Sequence, residues 1–201
     1  MGIFCALAVG AGRLDRTPSK LEVFGLDLCD GEPCFRGVKA GTDWVIVKKA
    51  FPQGVEKETY DLGAPSDMLD LQQIEFFPSD NHKIAESIQV TTKAANPIPV
   101  SAGDVLMQYG PPCYVELGDI PGSMTIIYPK MTVQLNMIAS DDHHLQLNSA
   151  ISGLEIHNYL RQCHEKTSAN SGPWHGFISM EEYRQRNLNE VGIVQSNVGI
   201  P

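Results

Sequence analysis

The chain has 201 residues, and its 24 acidic and 15 basic side chains give a formal net charge of −9 with histidine neutral. Apolar residues make up 42% of the chain and charged residues 19%, a composition typical of globular domains that argues against intrinsic disorder. The acidic balance argues against nucleic-acid binding, because lysine and arginine contacts to phosphates supply most of that affinity. The length fits one domain of ordinary size, or two small ones that share a sheet.

The first twelve residues, MGIFCALAVGAG, are small and apolar, and a charged stretch follows them. This pattern resembles the apolar part of a secretory signal, or of a membrane anchor, whose basic start is missing. An ordinary frayed terminus is one alternative. Lipidation at Gly2 and Cys5 is another, disfavoured because Ala6 stands where the myristoylation pattern has Ser or Thr. Residues 1–20 are therefore interpreted as a leader remnant or a disordered terminus, and the only predicted membrane link is such an anchor.

Cys29 and Cys34 bracket the turn-rich sequence CDGEPC, which can bring two Cα atoms to disulfide distance. With Cys5 set aside as part of the leader, four cysteines remain and allow three pairings. Unpaired thiols and a metal site are the alternatives, although CxxxxC with two distant cysteines matches zinc spacing poorly. We predict a Cys29–Cys34 disulfide and leave the state of Cys113 and Cys163 open. The expected location is extracellular or membrane-anchored and extracytoplasmic, with a cytoplasmic location as the alternative.

A short helix followed by strands is predicted twice along the chain. In the first unit, residues 33–92, Thr42 is the predicted N-cap of a helix that must stop near Pro52. In the second unit, residues 97–139, Ser101 is the predicted N-cap and Gly110 the stop. Runs with strand composition follow each helix, at 71–77, 84–92, 113–117, 124–128 and 132–138.

Two units of this kind predict an α+β fold, an antiparallel sheet with short helices packed on one face. Their similarity, at a separation of about 60 residues, indicates a tandem duplication. We predict a single domain over residues 21–186, built from the two units and a C-terminal helical segment. Residues 187–201 are polar with isolated Val and Ile, and we interpret them as a flexible tail.

Several stretches carry a resemblance to a known group of proteins. PCFRGVKAGT at 33–42 resembles the PCWxGIxPGxT opening of a group of uncharacterised extracytoplasmic proteins, and GDVLMQYGPP at 103–112 resembles its GDVIxxYGPP signature. Tyr128-Pro129 and PWHGF at 173–177 are similar to its YP and WxGF elements. The resemblance implies an exported, disulfide-bearing domain, and it transfers no catalytic residues.

A looser similarity links the helix–Gly–Pro turn to the repeats of small outer-membrane assembly lipoproteins and β-lactamase inhibitor proteins. In those proteins a helix pair packs on an antiparallel sheet. The chain departs from the first group at Phe35, where the group often has Trp, and at Lys39-Ala40, which replaces its usual Pro before Gly41.

The densest polar cluster is Asp141-Asp142-His143-His144. A catalytic metal site there would need further histidines, for which the chain offers His157, His164 and His175. A polar loop after a strand is the simpler interpretation. Glu181-Glu182 likewise follow Ser179 in the pattern of a capped helix, whose N-terminus favours acidic residues. The sequence contains no GxSxG, no phosphate-binding glycine motif and no HExxH.

We therefore predict a non-catalytic exported binding or scaffold module without a cofactor, whose partner is a protein or a component of the cell envelope. Its sheet face is expected to carry the contact and to expose aromatic or apolar residues. Trp174, Phe177 and Tyr114 are the candidate partner-binding residues, with packing at the core edge as the alternative for Trp174. The competing hypothesis is a metal-dependent or other hydrolase that uses residues 141–144 with the distant histidines.

Overall fold

The computed structural model describes residues 19–56, 59–63, 72–92, 98–119, 122–136, 144–163 and 170–190. The predictions for residues 1–18 and 191–201 lie outside this part of the chain. The described residues form an α+β fold, which confirms the predicted class: short helices accompany a ten-stranded antiparallel sheet, and a three-stranded sheet precedes it.

The helices in the described ranges are short, and they are α1 Lys20–Phe24, α2 Trp44–Ala50, α3 Ala102–Tyr109 and α4 Met180–Glu190. The small sheet contains β1 Leu26–Cys29, β2 Glu32–Phe35 and β3 Val38–Lys39. The large sheet contains β4 Val55–Glu56, β5 Tyr60–Gly63, β6 Gln72–Pro78, β7 Ala85–Thr92, β8 Ile98–Ser101, β9 Tyr114–Leu117, β10 Ser123–Tyr128, β11 Met131–Asn136, β12 Ala150–His157 and β13 Ser171–Pro173.

The large sheet contains two four-stranded meanders that meet at their last strands, and β13 and β8 complete its ten strands. The strand order is β13-β9-β10-β11-β12-β7-β6-β5-β4, and β8 pairs with β12. Strands β12 and β7 join the meanders in antiparallel pairing, with Ile156 opposite Ile88. Helix α2 precedes the first meander and α3 the second, so the helix-then-strands unit occurs twice. Strand β12 lies beyond residue 139, in a stretch for which the sequence pattern predicted no strand.

The two helices enter the fold in the same way. Asp43, the N-cap of α2, pairs with Ile84 just before β7, and Ser101, the N-cap of α3, pairs with Ala150 at the start of β12. In each unit the helix N-terminus is therefore fastened to the start of the fourth strand. The predicted capping box of Ser101 with Asp104 is present.

The N-cap prediction for α2 was wrong by one residue. The carbonyl of Thr42 accepts a hydrogen bond from the N–H of Ala85 at 2.8 Å, so residue 42 still belongs to extended backbone paired beside β7. The helix begins one residue later, where the Asp43 carboxylate accepts from the N–H of Val45 at 2.8 Å.

One face of the sheet forms the core, and its central row is completely apolar. The row crosses six strands through Val115, Ile126, Val133, Leu154, Val90 and Ile74, all of them buried. The helices cover this face, since Phe51 after α2 contacts Phe76, and Tyr109 at the end of α3 lies 6.0 Å from Tyr128 between ring centroids. The predicted packing of helices on one face is confirmed.

Helix α4 packs on the β13 edge of the same face. Tyr183 is fully buried, and its hydroxyl donates to the carbonyl of Gly176 at 2.8 Å and accepts from the N–H of His175 at 3.2 Å. Asn187 is 2% exposed and lies so close to Gly172 that a Cβ there would overlap its side chain. The helix therefore continues through Glu190, past the point where the sequence pattern placed the start of the tail.

Two disulfides lie in the described part of the chain. Cys29–Cys34 closes the β1–β2 hairpin, and Cys113–Cys163 joins the start of β9 to the segment after β12, a pairing that the sequence left open. Two disulfides in a chain of this size fit an oxidising, extracytoplasmic environment. Among the described residues no helix has the length and apolar character needed to span a bilayer.

Candidate binding surface

The second face of the large sheet has polar side chains where the core face has apolar ones. Successive strand residues point to opposite sides, so the residues flanking each core position share this second face. Thr125 pairs with Gln134, and Glu155 pairs with Gln89. We call this surface the open face and define it by its half-buried or exposed members Gln73, Glu75, Gln89, Thr91, Glu116, Thr125, Gln134 and Glu155, with Phe77 and Val55 towards its β4 edge.

The open face is wide enough for a macromolecular contact. Its outer row runs from Glu116 on β9 to Gln73 on β6, across five strand intervals of about 4.8 Å, or about 24 Å. A stable protein contact uses about 800 Å² per partner, which is a patch of similar width. Most exposed or half-buried members of these rows are glutamate, glutamine and threonine. At the β4 edge Val55, 57% exposed, continues the row of Gln89 and Glu75, and Phe77 lies half-buried on the same face.

A short segment crosses one end of the open face. We call residues 158–163, immediately after β12, the strap. The N–H of Arg161 donates to the carbonyl of Pro129 at 2.8 Å, and Cys163 is bonded to Cys113. The Arg161 guanidinium also hydrogen-bonds to the hydroxyl of Tyr114 and, at 3.1 Å, to that of Tyr159. These contacts explain why Tyr114, although on the open side of β9, is only 5% exposed.

His157 and Tyr159 are stacked at the junction of β12 and the strap. Their rings are nearly parallel, with centroids 4.1 Å apart. The Nδ1 of His157 lies 2.8 Å from the carbonyl of Tyr159, which can only accept, so Nδ1 carries the proton. The Nε2 atom is buried and has no hydrogen-bond partner among the residues that the structure describes. Burial lowers the pKa of His157, because the charged imidazolium would lose its hydration there.

The residues of the second sequence signature have structural contacts. The Tyr128 hydroxyl donates to the carbonyl of Gly110 at 3.1 Å, and the Tyr109 hydroxyl donates to the carbonyl of Asp27 at 3.0 Å. Burial raises the pKa of both tyrosines, and that of Tyr183 to about 12. These phenols therefore stay protonated and tie α3 to β1 and to the core, which is a structural role.

The metal site that the competing hydrolase hypothesis needs cannot be assembled from the described histidines. His144 pairs with Ser179, His175 contacts Tyr183 next to α4, and His157 lies at the strap. In the described ranges no group of three or more His, Cys, Asp or Glu side chains could hold a metal ion. Residues 141–143 and 164 lie outside those ranges, so the hydrolase hypothesis stays a prediction. The Glu182 carboxylate accepts a hydrogen bond from the N–H of Ser179 at 3.0 Å, in the expected capping arrangement.

The other two aromatic candidates lie away from the open face. Trp174 packs against the core and contacts Phe177 edge-on, with ring centroids 5.7 Å apart. Phe177 is 37% exposed and borders an apolar cavity of about 510 Å³ that Leu145 and Leu147 also line. Their role in partner binding stays a prediction.

Sequence reasoning missed the strap. Tyr159 and Leu160 are 47% and 68% exposed, beside the open face. The available signal was NYLRQC at 158–163, an aromatic, an aliphatic and an arginine immediately after the alternating run 150–157. Because that run was not predicted to be a strand, no position in the fold could be predicted for residues 158–163.

Comparisons with known proteins add little. No protein-family model matches the chain, and no curated protein matches it. A DUF4309 family protein from Bacillus subtilis is similar in structure, with 12% identity and a TM-score of 0.36, over 58% of this chain and 78% of that one. A cysteine-rich secretory protein from Staphylococcus aureus has 13% identity and a TM-score of 0.34, over 66% of this chain and 50% of that one. Scores this low carry no functional argument.

Proposed function

We propose that this protein is a non-catalytic exported binding module that holds a protein or another component of the cell envelope on its open face. The supporting observation is the one-sided cover of the sheet. Helices pack on the apolar face, whereas the opposite face presents a row of mainly Gln, Thr and Glu side chains about 24 Å wide, interrupted by Gly153. A polar surface on a rigid sheet can align many hydrogen bonds with a partner at little entropic cost.

Two further features support an exported module. The disulfides suit an oxidising environment, and Cys113–Cys163 fixes the strap directly beside the open face. The groups with raised pKa in the described ranges are Arg161 of the strap and three tyrosines that hydrogen-bond to backbone carbonyls. Their positions fit a scaffold better than a catalytic centre, in which acid and base groups converge in one pocket.

Photo-crosslinking tests the proposal. Benzoylphenylalanine is placed at Gln134 on the open face or, as the matched control, at Val45, which is 70% exposed on α2. Each purified variant is irradiated with the cell-envelope fraction of the organism that produces the protein. We expect a discrete adduct from residue 134, reduced by excess unlabelled protein, and none from residue 45. Adducts from residue 45 alone, or no competed adduct from residue 134, would contradict the proposal.

A further inference from the structure

We propose that Tyr159 on the strap is the anchor of the interface, and that the partner is a protein surface that offers an apolar pocket surrounded by basic side chains. This inference rests on the proposed function, because it names the partner class of the same surface. The proposed interface contains the exposed residues of the strap and the acidic residues of the neighbouring rows of the open face.

Tyr159 is both exposed and held in place. One face of its ring stacks on His157, and its hydroxyl accepts from the Arg161 guanidinium, whose central carbon lies 5.6 Å from the ring centre. An aromatic side chain fixed before binding loses little rotamer entropy when a partner covers it. Tyrosine and arginine are also the residue types most enriched among residues that dominate binding energy.

The backbone around Tyr159 is also fixed. The N–H of His157 donates to the carbonyl of Lys130, and the N–H of Asn158 donates to the carbonyl of Glu86, at 3.0 and 2.9 Å. The Cys113–Cys163 disulfide fastens the other end of the strap. Leu160, 68% exposed, therefore stands beside Tyr159 as a second apolar group on a rigid support. Two such neighbours fit an apolar pocket on a folded partner.

The charged side chains near Tyr159 favour a partner surface with a positive charge. Glu155 lies two residues before His157 on the open face, and Gln89 stands between it and Glu75 across the strands. In the described part of the chain no lysine or arginine lies within salt-bridge distance of Glu155 or Glu75. The neighbouring cation Lys130 is already paired with Glu32 at 2.7 Å. Arg161 of the strap carries one positive charge, and Glu155 and Glu75 carry two negative ones. On balance the surface therefore complements basic groups and repels phosphate, which disfavours nucleic acid and anionic membranes.

Binding of defined probes tests the inference. Three 12-residue peptides each combine six leucines with six lysines, six glutamines or six glutamates, and vesicles of phosphatidylcholine with phosphatidylglycerol form a fourth probe. We expect the lysine peptide to bind and the other three probes to bind at least tenfold more weakly. Tyr159→Ala should raise the Kd of the lysine peptide about tenfold, whereas Val45→Ala, which removes an exposed apolar side chain on α2, should leave it unchanged.

A charge control separates local from general attraction. Glu155→Gln should weaken binding of the lysine peptide severalfold, whereas Glu181→Gln on α4 removes the same charge and should have no effect. Equal effects of the two variants, no effect of Tyr159→Ala, or preferred binding of any other probe would overturn the inference. If the adduct from residue 134 persists in those cases, the proposed function stands and only the partner class is wrong. If that adduct is also absent, both fail.

Discussion

Removing the two disulfides separately should destabilise the protein by clearly different amounts. Cys29 and Cys34 are separated by 5 positions, and Cys113 and Cys163 by 50. In the chain-entropy description, closing loops of these lengths stabilises the folded state by about 2 and about 4 kcal/mol. For a chain of this size these amounts correspond to losses of about 4–8 °C and about 8–16 °C in Tm.

The assay is urea and thermal unfolding, followed by tryptophan fluorescence, of two double serine variants. Cys5→Ser is included in every protein, the reference among them, so that no free thiol exchanges with the remaining bridge. We expect loss of Cys113–Cys163 to cost about twice as much as loss of Cys29–Cys34. Equal costs, or a larger cost for the short loop, would show that loop length does not set the contribution of each disulfide. The variant that lacks the Cys113–Cys163 disulfide should also weaken partner binding, because Cys163 fastens the strap beside Tyr159.

Three further variants test separate parts of the account. Tyr128→Phe removes the hydrogen bond to the carbonyl of Gly110 and should lower the free energy of unfolding by about 1 kcal/mol, measured in urea; an unchanged value would contradict its role. Ser101→Ala removes the N-cap of α3 and should lower the free energy of unfolding by about 1 kcal/mol, whereas Thr42→Ala should lower it clearly less. A larger loss for Thr42→Ala would indicate that Thr42, and not Asp43, caps α2. Burial lowers the pKa of His157, so the unfolded chain takes up a proton that the folded chain does not, and stability should fall as pH drops below 6.5. His157→Gln should make the free energy of unfolding less dependent on pH in this range. An unchanged pH dependence would contradict this role of His157.

Local patterns predicted much of the fold. The capping pair Ser101–Asp104 and the stop at Gly110 define α3, because each group satisfies backbone atoms of its own helix. The antiparallel class followed from short strand-like runs separated by turns. The α2 cap was missed because Thr42 and Asp43 are both good caps, and only pairing of the chain beside β7 decides between them.

The binding surface was less predictable for a physical reason. Whether the Gln, Thr and Glu residues of neighbouring strands form one surface depends on register, and register across β7 and β12 joins positions more than 60 residues apart. The burial of Tyr114 was equally hard to predict, because it depends on a segment far away along the chain. As an aromatic on a strand it was a candidate contact, but the strap, brought over it by Cys163 and Arg161, buries it.

Carboxyl footprinting of the bound protein shows whether the open face carries the contact. The protein is treated with a carbodiimide and an amine, free and in the complex purified through the residue-134 adduct, and the labelled glutamates are quantified by mass spectrometry. The account predicts that labelling of Glu155 and Glu75 on the open face falls severalfold in the complex, while Glu22 and Glu181 on the helices are labelled as before. Protection of the helix glutamates with Glu155 and Glu75 still labelled would contradict it.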